Sequence, residues 1–158
     1  MPDGPITIGV ISDTHGRVRP EVFPVLAGCA VILHAGDVGG PHVVQELSVI
    51  APMHAVRGNV DDPHDPGLEA HVSIEIAGVR IHVSHGHELG SPTPERVAAR
   101  YDADVLVFGH THHAVVEHVG GRLVVNPGSA GPARFGSTPS VARIVIHEGR
   151  ATAEIVPL

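Results

Sequence analysis

The chain has 158 residues, 42% of them hydrophobic, and carries a formal net charge of −7. That length suits a single domain over residues 1–158 with a real hydrophobic core, and a mean hydropathy of +0.17 excludes disorder. No apolar run reaches the ~20 residues that cross a bilayer, so no membrane partner is expected. All ten basic residues are Arg, which removes the lysine-dependent Schiff-base and P-loop chemistries. The absence of a basic patch with interleaved aromatics argues against stable nucleic-acid binding.

Ile6 to Ser12 is a continuous apolar run expected to form a central strand, and it ends in Asp13-Thr14-His15-Gly16. A helix is expected over Pro20 to Ala27. Cys29, among Ala27, Gly28 and Ala30, reads as a small buried filler that cannot pair within the chain. A second strand, Ala30 to His34, leads into Gly36-Asp37, a carboxylate held among glycines where it packs badly but reaches a ligand well. Pro41 to Ile50 has Pro in its first turn and Val43, Val44, Leu47 and Ile50 at helical spacing. Met53 to Val56 is a short third strand running into Arg57-Gly58-Asn59-Val60-Asp61, and the DPHDPG segment beyond it is an acidic loop.

From His71 the pattern becomes richer in hairpins. His71 to Ile76 and Val79 to Ser84 flank Ala77-Gly78, and the second strand delivers Ser84-His85-Gly86-His87. Thr93 to Tyr101 reads as a helix capped by Thr93. Val105 to Phe108 then runs into Gly109-His110-Thr111-His112-His113. Two further hairpins are expected, Ala114 to Val119 with Arg122 to Val125, and Val141 to His147 with Ala151 to Val156. The Asn126-Pro127-Gly128-Ser129 turn between the two hairpins is fixed by its proline and glycine, and its amides could face the site. Alternating strands and helices followed by hairpins predict an α/β fold of two packed β-sheets with helices outside.

Five segments therefore share one pattern, an apolar strand followed by glycine and polar ligands. Loops at the carboxyl ends of parallel strands gather along one edge, so the five can meet there. On extended backbone, Asp13 and His15 project to one side, as do His110 and His112. Fourteen histidines in so short a chain fit this reading, because imidazole is the commonest metal ligand.

The blocks D-x-H, G-D, G-N-x-D, H-G-H and G-H-x-H, in that order, resemble the calcineurin-like metallophosphoesterase superfamily. The small size, the H-G-H form and the N-P-G-S turn are most similar to its YfcE-type phosphodiesterases. The resemblance spans nearly the whole chain and implies a four-layer α/β/β/α sandwich of two mixed sheets flanked by helices. It also implies that Asp13, His15, Asp37 and His112 hold one metal ion, and Asp37, Asn59, His85 and His110 a second, with Asp37 shared. The implied activity is hydrolysis of a phosphoester substrate by in-line attack of a hydroxide bridging two divalent ions. Mixed oxygen and nitrogen donors suit Mn, Fe, Zn, Co or Ni, and the resemblance favours Mn. It also makes a homodimer or homotetramer an open expectation that no motif fixes.

One position departs from the family pattern. Many members carry a histidine after the G-N block that helps protonate the leaving group, and here that position is Val60. His87 is the substitute expected beside the leaving oxygen, as a catalytic and substrate-binding residue together with Asn59. Without a strong acid the chemistry favours good leaving groups, hence phosphodiesters over alkyl monoesters. Asp61 is expected to orient His85 or Asn59. Arg57 and Arg134 are candidates for steadying phosphate charge, since guanidinium matches phosphate oxygens. Among the other histidines, His34 and His113 stand nearest the blocks.

An alternative is a non-catalytic metal-binding interaction module of the same fold, as the similarity to the superfamily's retromer subunit implies. Retention of every candidate ligand weighs against it, because gathered carboxylates repel unless cations neutralise them. The N-terminus has no basic region before its apolar run, so no signal peptide and a cytoplasmic location are expected.

Overall fold

A computed structural model describes residues 4–132 and 136–158 of the chain. Among the described residues the strands form two five-stranded sheets. The first contains β1 (Ile6–Ile11), β2 (Val31–His34), β3 (Met53–Ala55), β9 (Ser140–His147) and β10 (Arg150–Pro157) in the order β10-β9-β1-β2-β3. The second contains β4 (Val72–Ile76), β5 (Val79–Val83), β6 (Val105–Val107), β7 (Val115–Val119) and β8 (Arg122–Asn126) in the order β4-β5-β6-β8-β7. Both are mixed: β1, β2 and β3 run parallel while β9 and β10 are antiparallel, and β5, β6 and β8 run parallel between antiparallel β4 and β7.

Side-chain alternation sorts each strand between two environments. Ile8, Val10, Leu33, Ile81, Val83, Val105, Val107, Val125, Ile144 and Ile146 share the core between the sheets. Their neighbours face outward: Ile11 and Ile32 pack with α1 (Val22–Leu26) and α2 (Pro41–Ser48), and Leu106, Phe108 and Val124 with α3 (Pro94–Arg100). This is the expected α/β/β/α order. Helix α3 is capped as its sequence predicts, with the Thr93 hydroxyl accepting the Arg96 amide at 3.2 Å. A short 3₁₀ turn over His87–Leu89 between β5 and α3 is the one element the sequence pattern did not announce. The carboxyl ends of β1, β2, β3, β5 and β6 open onto the segments that carry the five motif blocks.

Candidate metal centre

The candidate ligands are aimed by left-handed backbone and not by strand alternation. Asp13, His15, Asp37, His110 and His112 have φ of 56°, 49°, 54°, 71° and 64°, and only two other described non-glycine residues, Ala77 and Glu148, have positive φ. The extended geometry expected for Asp13-x-His15 and His110-x-His112 is therefore corrected. Each left-handed L-residue costs roughly 1 kcal/mol or more, so five at one place mark a site whose surroundings hold it against local preference.

Those surroundings are loop-to-loop hydrogen bonds. The β1 and β2 loops continue their ladder past the strands, with the amides of Asp13, His15 and Gly16 donating to the carbonyls of Gly36, Asp37 and Val38 at 2.9, 3.0 and 2.9 Å. Behind them runs a chain whose direction is fixed at every link. The Gly36 amide donates to His34 Nδ1 at 3.1 Å and the Thr14 hydroxyl donates to the Val38 carbonyl at 2.7 Å. The 3.0 Å contact between His34 Nε2 and Thr14 Oγ1 must then carry the histidine proton. His34 is wholly buried and neutral, and desolvation pushes its pKa down from 6.5 to about 4.

A pH dependence follows for the metal-free protein. Below pH 6.5 the unfolded chain binds a proton at His34 that the folded protein refuses down to about 4, so this contribution to stability is full above 6.5 and declines as pH falls through that window. Urea unfolding of the unaltered protein and of His34→Gln across the window should show a shallower decline for the variant. Equal slopes would remove His34 from the account.

Asp61 does not orient His85 or Asn59 as expected. Its Oδ2 accepts the amides of Val38 at 3.1 Å and Gly58 at 2.8 Å, and its Oδ1 accepts Gly39 at 3.0 Å, so one carboxylate staples the β2 loop to the β3 loop. Asp61→Asn leaves one oxygen for three amides and should lower stability by about 2 kcal/mol in urea unfolding. A loss below about 0.5 kcal/mol, ordinary for a surface change, would show that the staple is slack.

The remaining blocks are braced in the same manner. The Asn126 side-chain amide donates to the Gly109 carbonyl at 3.1 Å and to Thr111 Oγ1 at 3.0 Å, fixing the β6 loop. The Ser129 hydroxyl donates to the Asp13 carbonyl at 3.1 Å, so the N-P-G-S turn supports the first loop through a side chain. Sequence reasoning assigned no role to Asn126 or Thr14; their one signal is position beside a block.

Two groups result, Asp13 with His15 and His112, and Asp37 with His85 and His110, each with donor atoms within 4.8 Å of one another. Asp37 stands between them, its Oδ2 at 3.3 Å from His85 Nε2 and 3.8 Å from His15 Nε2. Asn59 joins the second group, its Oδ1 at 3.1 Å from His85 Nε2. The atoms left over fit a cation. Asp13 Oδ2 takes the Ser12 hydroxyl and the His110 amide, whereas buried Asp13 Oδ1 and His15 Nε2 have no hydrogen-bond partner. His85 Nδ1 meets the Ala35 carbonyl at 2.8 Å, which makes Nδ1 a donor and turns Nε2 inward, the orientation in which a histidine binds a metal ion through Nε2.

Charge agrees with this geometry. Burial acts to raise the Asp37 carboxyl, but the hydrogen bond and charge of His85 outweigh it and hold the group down to about 2. Burial acts to lower His85, and its contact with Asp37 raises it overall; His110 is lowered by burial and by His85. Carboxylate and imidazole here share a proton that a divalent cation would displace.

His87 lies beside the second group, half-exposed, its ring centroid 5.2 Å from that of His85 and 6.3 Å from that of His110. The Arg57 guanidinium donates to the Leu68 carbonyl at 3.2 Å. Arg134 lies outside the described residues.

Residues 6–149 match the calcineurin-like phosphoesterase superfamily domain. The chain belongs to this superfamily. A probable metallophosphoesterase of Methanothermobacter thermautotrophicus is 35% identical to it, the alignment covering 94% of this chain and 91% of the relative. The phosphodiesterase YfcE of Escherichia coli is 34% identical, covering 82% of each chain. A crystal structure of a Vps29 single mutant from Entamoeba histolytica superposes with a TM-score of 0.80 at 25% identity, covering 97% of this chain and 99% of that one. This calcineurin-like phosphoesterase is thus a metal-binding hydrolase by family, and its fold is the two-sheet sandwich of that family. Its donor groups suit divalent cations, and the family implies a phosphoester substrate.

Proposed function

We propose that the chain, as one domain over residues 1–158, is a phosphodiesterase dependent on two divalent metal ions. Asp13, His15 and His112 would hold one ion, Asn59, His85 and His110 the other, and Asp37 both. The observation that carries this reading is Asp37 facing both His85 of its own group and His15 of the other, where buried Asp13 Oδ1 and His15 Nε2 have no hydrogen-bond partner. When bound, such a pair supplies Lewis-acid polarisation of the phosphoester and activation of water at neutral pH. The chain's own work is to hold seven donors in place through the Asp61 staple and the His34–Thr14 chain, and to present His87 to the substrate. With Val60 after Asn59, His87 would hold the leaving oxygen and return a proton to it. Arg57, anchored on Leu68, enters as a substrate contact only through the nitrogens that anchor leaves free.

The test is hydrolysis of an aryl phosphodiester and the matching monoester by metal-stripped protein, with Mn, Fe, Zn, Co and Ni restored in turn. Activity should be absent without metal, return with a transition metal, and favour the diester. His87→Gln should slow diesters with poor leaving groups more than activated aryl esters; equal losses on both would remove its acid role. The likeness to Vps29 supports a second reading, a non-catalytic module of the same fold. Tight binding of two metal equivalents without turnover of any phosphoester would favour that reading.

A further inference from the structure

We propose that Glu88, braced by Tyr101, is a positioning residue that holds the His87 ring at the metal centre. This rests on the role given to His87 above, and it concerns a carboxylate outside both ligand groups. The chain leaves β5 through Gly86 in left-handed backbone at φ 99°, where a side chain would press on Pro92, and at once enters the 3₁₀ turn over His87–Leu89. So short a turn makes few backbone bonds of its own. Glu88 supplies the missing ones by folding back along the loop: Oε1 accepts the Gly86 amide at 2.9 Å, and Oε2 accepts the Tyr101 hydroxyl at 2.5 Å.

Tyr101 is a firm anchor. Its ring stacks on His82 with centroids 4.2 Å apart, the Arg100 guanidinium carbon lies 4.9 Å from its centroid, and its carbonyl accepts Arg122 Nη1 at 2.9 Å. The outer face of the second sheet and the end of α3 are thereby tied to the loop between His85 and His87. Burial acts to raise Glu88, but the Tyr101 hydroxyl and the backbone amides outweigh it, and Tyr101 is pushed up to about 12 by burial and by Glu88. The proton of the pair stays on the phenol and the carboxylate stays anionic. That anion lies 3.9 Å from His87 Nδ1, a buried nitrogen with no hydrogen-bond partner. A ring whose Nδ1 is drawn toward Glu88 has Nε2 as the nitrogen left for substrate.

The full chain loaded with manganese and assayed on a bis-aryl phosphodiester provides the test. Glu88→Ala should lower kcat about tenfold and change KM less than about twofold, as loss of orientation without loss of binding does. Calorimetric metal stoichiometry should stay that of the unaltered protein. Glu88→Gln still has an oxygen for the Gly86 amide but no charge facing His87 Nδ1, and should recover only part of the loss. Adding Glu88→Ala to His87→Ala should cost nothing further. A full tenfold loss in the His87→Ala background, or the loss of a metal equivalent, overturns the proposal. A readout independent of turnover is the His87 imidazole carbon–proton signals in zinc-loaded protein, which Glu88→Ala should shift and broaden; unchanged signals overturn the proposal. If His87→Ala leaves turnover intact while Glu88→Ala still moves those signals, the role of His87 fails and the tether stands.

Discussion

Asp37→Ala is expected to reduce metal stoichiometry from two equivalents to one or fewer and to lower phosphodiester turnover at least about a thousandfold, the equivalent of about 4 kcal/mol in the barrier. The other donors fall into two groups of limited reach, and Asp37 is the side chain whose Oδ2 faces both His85 and His15, at 3.3 and 3.8 Å. Its Oδ1 is pinned by the Val60 amide at 3.1 Å, which holds Oδ2 toward the two groups. The same substitution should weaken the metal-free fold. Because the Asp37 carboxyl is held down to about 2 in the folded protein, its contribution is present above 3.8 and is lost as pH falls toward 2. The stability gap between the variant and the unaltered protein should therefore close in acid. Two bound equivalents and full turnover in Asp37→Ala would sink the site as drawn.

Gly58→Ala adds one methyl group and should destabilise the protein by about 3 kcal/mol, the upper range for overpacking, while weakening metal binding. The backbone at Gly58 is not left-handed, so the cost is spatial: its Cβ would overlap the Asp37 carboxylate and backbone nitrogen and come within 2.8 Å of the Asp37 Cα. Neither side can retreat easily. The Gly58 amide is bound by Asp61 Oδ2, and the Asp37 loop is tied to the β1 loop through three backbone bonds. Gly4→Ala, where a Cβ meets nothing within 4 Å, is the control and should be neutral. Urea unfolding and calorimetric metal titration check both variants. If Gly58→Ala proved as stable as Gly4→Ala and bound metal as well, the close approach of the two loops would be wrong.

The elements were legible because most strands are short apolar runs and most are followed within a few residues by glycine. The observed strands begin and end within a residue or two of the runs read from the sequence, and all the expected hairpins are present. The donor residues were legible because aspartate and histidine beside glycine at strand ends have little packing value. How the donors are aimed was not legible. Alternation along extended backbone put His110 and His112 on one side, whereas both lie in left-handed conformation that the linear pattern does not encode. Asp61 was misread for a related reason: beside Asn59 in sequence, its carboxylate serves amides on a loop about twenty residues away.

Sequence by itself determined the two-sheet architecture, the family, and the candidate donors, because those depend on local hydrophobic period and on residue chemistry at strand ends. Only the tertiary structure decided which side chains hold the donors still. His34, Thr14, Asp61, Asn126 and the Glu88–Tyr101 pair act through hydrogen bonds whose partners are mostly remote along the chain, and such pairings exist only once strand order has brought the loops together. It also decided that Asp37 faces both His85 and His15, since that position depends on how the first sheet packs against the second.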